Sequence, residues 1–219
     1  GTSTTGGTVT WDGGVTNGVP YTPALPGTYT YNTSSTSPDD CDYDITITVH
    51  DLPTITGAVD DASICLGDLL TFTGGGGTSY VWDSGVTNVV PFEPLADGTF
   101  TYTVTGTSAS GCINSTGVVS TVTVNAVPTL AVNSGAICNG DSFTLTPSGA
   151  STYTYSSGTA VVSPTTTTSY TVTGTSASGC VDLVGVVSTV SVNTVPSMTV
   201  NSGAICSGDS FTLTPGGVS

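Results

Sequence analysis

Apolar and polar residues alternate along the chain in short runs. Phe100, Tyr102 and Val104 fall on one face with threonine between them, and Val118, Ser120, Val122 and Val124 repeat the pattern shortly after. A period of two sends successive side chains to opposite faces of a strand, one toward a core and one toward water. Gly, Pro, Asn and Asp, which supply turns, separate the runs. The predicted strands are Leu69 to Thr73, Ser79 to Trp82, Phe100 to Thr107 and Val118 to Asn125. Extended stretches also lead from Pro53 to the first cysteine box and cross Val89 to Leu95. No run of 18 apolar residues is present, so no membrane insertion is expected.

The pattern recurs. An I-C-x-G-D box stands at Ile64 to Asp68, Ile137 to Asp141 and Ile205 to Asp209, so Cys65, Cys138 and Cys206 lie 73 and 68 residues apart. The remaining cysteines, Cys41, Cys112 and Cys180, close segments rich in Ser and Thr, and Val104 to Cys112 is identical to Val172 to Cys180. TWDGGVTNGVPYTP from Thr10 is matched by VWDSGVTNVVPFEP from Val81. A unit of about 70 residues is the size of a small β-domain. Six or seven short strands per unit predict an immunoglobulin-like sandwich with Trp82, and Trp11 in the first unit, as core aromatics.

The fold class expected is therefore all-β: tandem immunoglobulin-like β-sandwiches arranged end to end, with incomplete domains at both termini. Residues 1–50 read as the C-terminal part of a domain, carrying the third strand onward (C to G in the immunoglobulin lettering). Residues 51–125 and 126–193 read as complete domains, and 194–219 as the first two strands (A and B) of another. Half a sandwich leaves an apolar face and an open edge in water. Each half is expected to be completed by polypeptide outside it, either further repeats or the tail of one copy completing the head of the next.

Composition changes the picture in one respect. Lys and Arg are absent, as is Gln, against 15 Asp plus Glu and a formal net charge of -15. Without cations no groove can neutralise phosphates, which excludes nucleic acid and anionic membrane surfaces as partners. Trypsin finds no site to cut. Six cysteines in a chain with so little charge point to an oxidising, extracellular location. With no initiating Met and no signal-peptide pattern, the chain reads as a mature or internal fragment.

The set ICNGDSFTLT, SPTTTTSYTVTGTSASGC and VVSTVSVN resembles the Ig-like repeats of very large secreted and cell-surface proteins of Bacteroidetes, including gliding-motility adhesins. The resemblance covers essentially the whole chain. It implies stalks and adhesive filaments placed outside the cell by a dedicated secretion system, though no sorting domain of that kind is visible.

The cysteines admit two pairings. Within a domain, Cys65 would join Cys112 and Cys138 would join Cys180. Yet Cys65 precedes the second strand and Cys112 lies past the sixth, and those strands run the same way. The shifts carry the two sulfurs toward opposite ends, tens of Å apart at ~3.3 Å per residue, where a disulfide needs Cα atoms within about 7 Å. A staggered bond, Cys65 with Cys180 between domains, satisfies the geometry better. Under it Cys41 and Cys112 reach back to preceding units while Cys138 and Cys206 reach forward, with partners partly outside the chain. The stagger would also constrain SASGC to fit a neighbouring corner, although recent duplication produces the same identity.

No catalytic constellation appears. His50, the sole histidine, follows an alternating strand at a domain junction and reads as a solvated linker residue. No GxSxG elbow is present, and Gly74 to Gly77 is a turn with no lysine or helix after it. No enzyme activity and no cofactor are expected. Asp39, Asp40, Asp42 and Asp44 around Cys41 are the candidate oxygen ligands for calcium, against a solvated acidic face. Sequons stand at Asn32 and Asn114, and Thr165 to Thr168 could accept O-linked sugar. The expected function is a structural segment of an extracellular stalk, adhesin or fibre, carrying tension and resisting proteases, its partners neighbouring Ig-like domains or further copies of itself. The alternative is a carbohydrate-binding or spacer module of a secreted polysaccharide-degrading enzyme, with Tyr21, Tyr29, Tyr31 and Tyr43 as candidates for contact with surface glycans.

Overall fold

The computed structural model describes residues 9–36 and 43–217, and these are entirely strand, turn and loop. No helix long and apolar enough to cross a membrane is found among them. The β-branched and aromatic residues that dominate the chain fit a pleated, half-buried surface better than a helix. In the first repeat β1 (Val9–Trp11), β2 (Gly27–Ser35) and β3 (Tyr43–Val49) form one antiparallel sheet in that order.

The second repeat supplies β4 (Thr56–Val59), β5 (Ser63–Cys65), β6 (Leu70–Gly75), β7 (Ser79–Trp82), β8 (Pro91–Phe92), β9 (Gly98–Thr107) and β10 (Ile113–Asn125). They make two sheets, ordered β4-β6-β8 and β5-β10-β9-β7. The third repeat supplies β11 (Gly135–Cys138), β12 (Phe143–Thr144), β13 (Thr152–Tyr155), β14 (Val161–Val162), β15 (Thr168–Thr175) and β16 (Val181–Asn193), in sheets β12-β14 and β11-β16-β15-β13. This division of strands between two sheets is that of the immunoglobulin-like sandwich. Last, β17 (Thr199–Val200) pairs antiparallel with β18 (Pro215–Gly216). By contacts the chain forms two compact units, one of Gly1–Ile64, Asp68–Pro94 and Thr99–Thr123, the other of Cys65–Gly67, Leu95–Gly98 and Val124–Ser219.

The second repeat is built around Phe72 of β6, which has no exposed surface. Its ring lies 5.0 Å from Trp82 of β7, 4.6 Å from Tyr102 of β9 and 6.2 Å from Phe92 of β8, so one side chain bridges both sheets. Such a ring cluster contributes packing beyond the area it buries. The third repeat places Leu145 at the same point, buried with Val162, Val172 and Val190.

Two features of these sandwiches are hidden in the sequence pattern. β10 begins at Ile113 and β16 at Val181, well before the alternation becomes visible, because SASGC occupies only a five-residue hairpin loop. In both copies the serine closes that loop: Ser108 N donates to Cys112 O (2.9 Å) and Ser176 N to Cys180 O (2.8 Å), while each cysteine N donates to the serine Oγ. The second feature is that the Ile-Cys of each internal box closes a short strand, β5 ending at Cys65 and β11 at Cys138, before the box turns. β11 runs parallel to β16, with Gly135 opposite Val190 and Cys138 opposite Asn193. The box cysteine therefore sits beside the last residue of its own repeat.

Gly149 has φ of 99°, and a Cβ there would collide with the Thr129 carbonyl oxygen. Gly149→Ala is expected to destabilise the third sandwich by roughly 1–3 kcal/mol, from a forced left-handed backbone plus that clash. Urea unfolding followed by tyrosine fluorescence checks it, and an unchanged midpoint would contradict it.

Candidate functional site

Two features stand out beyond the cores: a cysteine junction and an apolar groove. At the junction Cys65 and Cys180 form a disulfide with S–S 1.99 Å, χ3 of -94° and Cα atoms 5.5 Å apart, closing 115 residues of chain. It ties the box of the second sequence repeat to the hairpin loop of the third. The geometry follows from the elements that hold each sulfur. The box strand brings Cys65 next to the end of β10, where Leu66 N donates to Asn125 O at 2.9 Å. The Ser176 to Cys180 loop brings the other sulfur to the same place, 3.8 Å from that carbonyl oxygen. Cys180 is wholly buried there.

The same arrangement recurs one repeat earlier without its bond. Cys112 Sγ lies 3.9 Å from the carbonyl oxygen of His50, the residue that follows β3 as Asn125 closes β10. Asn114 Nδ2 fixes the loop by donating to Pro53 O at 3.2 Å. Cys112 is half-buried, Cys138 and Cys206 are exposed, and all three are free thiols. Cys41 lies outside the described residues.

The groove lies on the three-stranded sheet of the first repeat. Trp11, Val15, Tyr21, Tyr31, Ile45 and Ile47 line a cavity of about 270 Å³. Tyr31 is buried with its hydroxyl lacking a hydrogen-bond partner, whereas Tyr21 and Ile47 are well exposed at the rim. Burial, then the Tyr21 hydroxyl, with Tyr29 and Asp12 adding to both, pushes the Tyr31 hydroxyl up to about 12. Four of the lining residues have counterparts in the second repeat. Trp11, Val15, Tyr21 and Tyr31 stand 71 residues before Trp82, Val86, Phe92 and Tyr102. The geometry is also conserved between them: Tyr21 and Tyr31 meet edge-on at 5.7 Å, Phe92 and Tyr102 at 5.6 Å. Trp82 is buried among its neighbours, while Trp11 is half-buried on the groove.

The tail carries the matching parts. Phe211 and Leu213 stand five and seven residues after Cys206, as Leu70 and Phe72 follow Cys65. In the third repeat that last position, Leu145, is 2% exposed; in the tail Leu213 is 69% exposed.

The other candidates have plain structural roles. Of the four aspartates around Cys41, Asp39, Asp40 and Asp42 lie outside the described residues, and Asp44 is an exposed residue of β3. Among the described residues no group of three or more His, Cys, Asp or Glu could hold a metal ion. Asp60 is a turn residue: its Oδ1 accepts from Thr71 N (2.9 Å) and Asp61 N (3.0 Å), and these bonds, Thr71's foremost, hold its carboxyl below the usual value. His50 is exposed, and Gly76, with φ of 83°, turns β6 toward β7. Both sequon amides are engaged, Asn32 with Asp12 and Asn114 with Pro53. Of the four tyrosines, Tyr31 faces the groove, Tyr21 its rim, Tyr43 is exposed, and Tyr29 donates its hydroxyl to Leu25 O.

No protein-family model and no curated protein matches the chain. Among solved structures it is similar to a Ca2+-stabilized adhesin that helps an Antarctic bacterium reach out and bind ice, at 15% identity and TM-score 0.35 over 80% of this chain and 59% of that one. It is similar to the protein SGBP-B of the Bacteroides ovatus mixed-linkage glucan utilization locus, seen with a heptasaccharide, at 19% identity and TM-score 0.22 over 93% and 65%. It is also similar to extracellular cadherin domains 3-6 of protocadherin gamma B2, at 10% identity and TM-score 0.23 over 82% and 61%. The chain thus spans less than two thirds of the length of each.

Proposed function

We propose that the chain is a structural segment of an extracellular stalk, adhesin or fibre of the Bacteroidetes type, divided at residues 50, 125 and 193 into four parts of a tandem array. It performs no catalytic step and extends by joining further repeats or further copies. The observation that carries this reading is the Cys65–Cys180 disulfide, because it places a covalent bond in the path of tension along the chain. A pull on the two termini then passes through the sulfurs and bypasses the polypeptide between them. The absence of Lys and Arg, which denies trypsin-like proteases a site, suits an exposed fibre.

Single-molecule pulling on the oxidised chain tests it. The expected result is that adding reductant releases the 115-residue segment, an extra extension of about 400 Å at roughly 3.5 Å per residue. Equal extension with and without reductant would sink the tension-carrying role. A second reading, a glycan-binding module, rests on the aromatic groove with Tyr21 at its rim. Quenching of Trp11 by soluble polysaccharide would favour it.

A further inference from the structure

We infer that the groove of the first repeat is the docking site for segment 203–213 of a second copy of this chain, and that docking sets Cys206 of one copy against Cys112 of the next for a disulfide. The inference deepens the array reading and rests on it. Its first support is the internal match between repeats. In the second repeat the cradle of Trp82, Phe92 and Tyr102 holds Phe72 from the strand after the box. The first repeat presents the corresponding Trp11, Tyr21 and Tyr31, the two tyrosines at the spacing of Phe92 and Tyr102, and the tail presents Phe211 and Leu213 unburied at the corresponding positions. An exposed apolar side chain and a cavity that fits it are a hot spot and its pocket.

The second support is the sheet edge. β11 adds in parallel to the outer edge of β16, and the same register on β3 sets Gly203 opposite Ile47 and Cys206 opposite His50. This is strand addition to an open edge, where main-chain bonds supply affinity and side-chain pockets supply register. The third support is independent of both. Cys112 Sγ already lies 3.9 Å from His50 O, as Cys180 Sγ lies 3.8 Å from Asn125 O in the joint that is bonded to Cys65. A box strand laid on β3 completes the junction formed one repeat later.

Bond formation needs a disulfide oxidant, such as oxidised glutathione. The Cys206 thiolate attacks it, releasing one glutathione thiolate and leaving a mixed disulfide. The Cys112 thiolate of the next copy then attacks the Cys206 sulfur and expels the second glutathione. The two protein thiols lose two protons and two electrons, and one glutathione disulfide becomes two thiols.

The test uses the full chain with C41S and C138S, which leaves Cys112 and Cys206 as the thiols able to link copies. In a glutathione redox buffer, a ladder of multiples of the 21.6 kDa chain is expected on a non-reducing gel, collapsing to monomer on reduction. Adding C206S, or separately F211D with L213D, is expected to abolish every band above the monomer. The last pair leaves both thiols in place and alters side chains that are exposed in the free chain, so folding is spared. A ladder that survives F211D with L213D would overturn the docking, as would a chain that remains monomeric at high concentration. Monomers whose Trp11 is quenched by soluble polysaccharide would assign the groove to sugar instead. If Cys65–Cys180 is recovered from a chain that forms no ladder, the docking alone fails; if that bond is also missing, the array reading falls with it.

Discussion

Phe72→Ala is expected to cost the second sandwich about 3–5 kcal/mol, the usual range for removing a fully buried phenylalanine, because transfer and cavity terms add. Against a domain stability of roughly 5–15 kcal/mol this leaves little reserve. The size of the effect follows from the position of the ring, which touches aromatic side chains from both sheets and separates them from water. Tryptophan fluorescence gives a selective readout. Trp82 lies 5.0 Å from the lost ring, whereas the third repeat has Tyr155 where the second has Trp82. Phe72→Ala should therefore lower the denaturant midpoint seen by tryptophan, while Leu145→Ala, about 2–5 kcal/mol in the third sandwich, should leave that signal in place. Equal tryptophan midpoints for Phe72→Ala and the parent would show that the ring does not hold the sheets together.

Cys180→Ser is the second large expected effect. Its sulfur is buried, and its bond to Cys65 closes a loop of 115 residues. Removing a disulfide of this kind costs about 2–5 kcal/mol on the chain-entropy account. For a small domain that is a drop in Tm on the order of 10 °C or more. Calorimetry should show the drop in the oxidised protein and none beyond it when reductant is added to the variant. A variant as stable as the oxidised parent would mean that the bond constrains nothing.

Much of the fold is visible in the alternation of single runs. Ser79 to Trp82 is a strand with the bounds its pattern gives, and Tyr102, Val104, Val122 and Val124 are buried on the faces their spacing assigns. β10 reads short because Gly117, at φ of 68°, interrupts the alternation without ending the strand; glycine within a strand signals a bulge as often as a break. The box strands β5 and β11 are three and four residues long, too brief for a period to register. The partner of β11, β16, lies 55 residues on and runs parallel, a pairing no local window contains. The groove was concealed for another reason. Alternation marks Tyr31, Ile45 and Ile47 as apolar and inward, and the pattern is the same whether the covering layer comes from the same repeat or from elsewhere. Cysteine spacing carried more, since a distance argument over strand direction needs only the order of the elements. It sends the two sulfurs of one repeat apart, and the structure places Cys65 and Cys180 within bonding distance.

The covalent link from one repeat to the next is the claim on which the stalk reading and the docked copy both depend, and one digest tests it. Free thiols are blocked, and the unreduced protein is cut with chymotrypsin, whose aromatic and leucine sites separate the six cysteines where trypsin has none. The peptide holding Cys65 is expected to be recovered joined to the peptide holding Cys180. Recovery of Cys65 joined to Cys112, or carrying the blocking group, would contradict it.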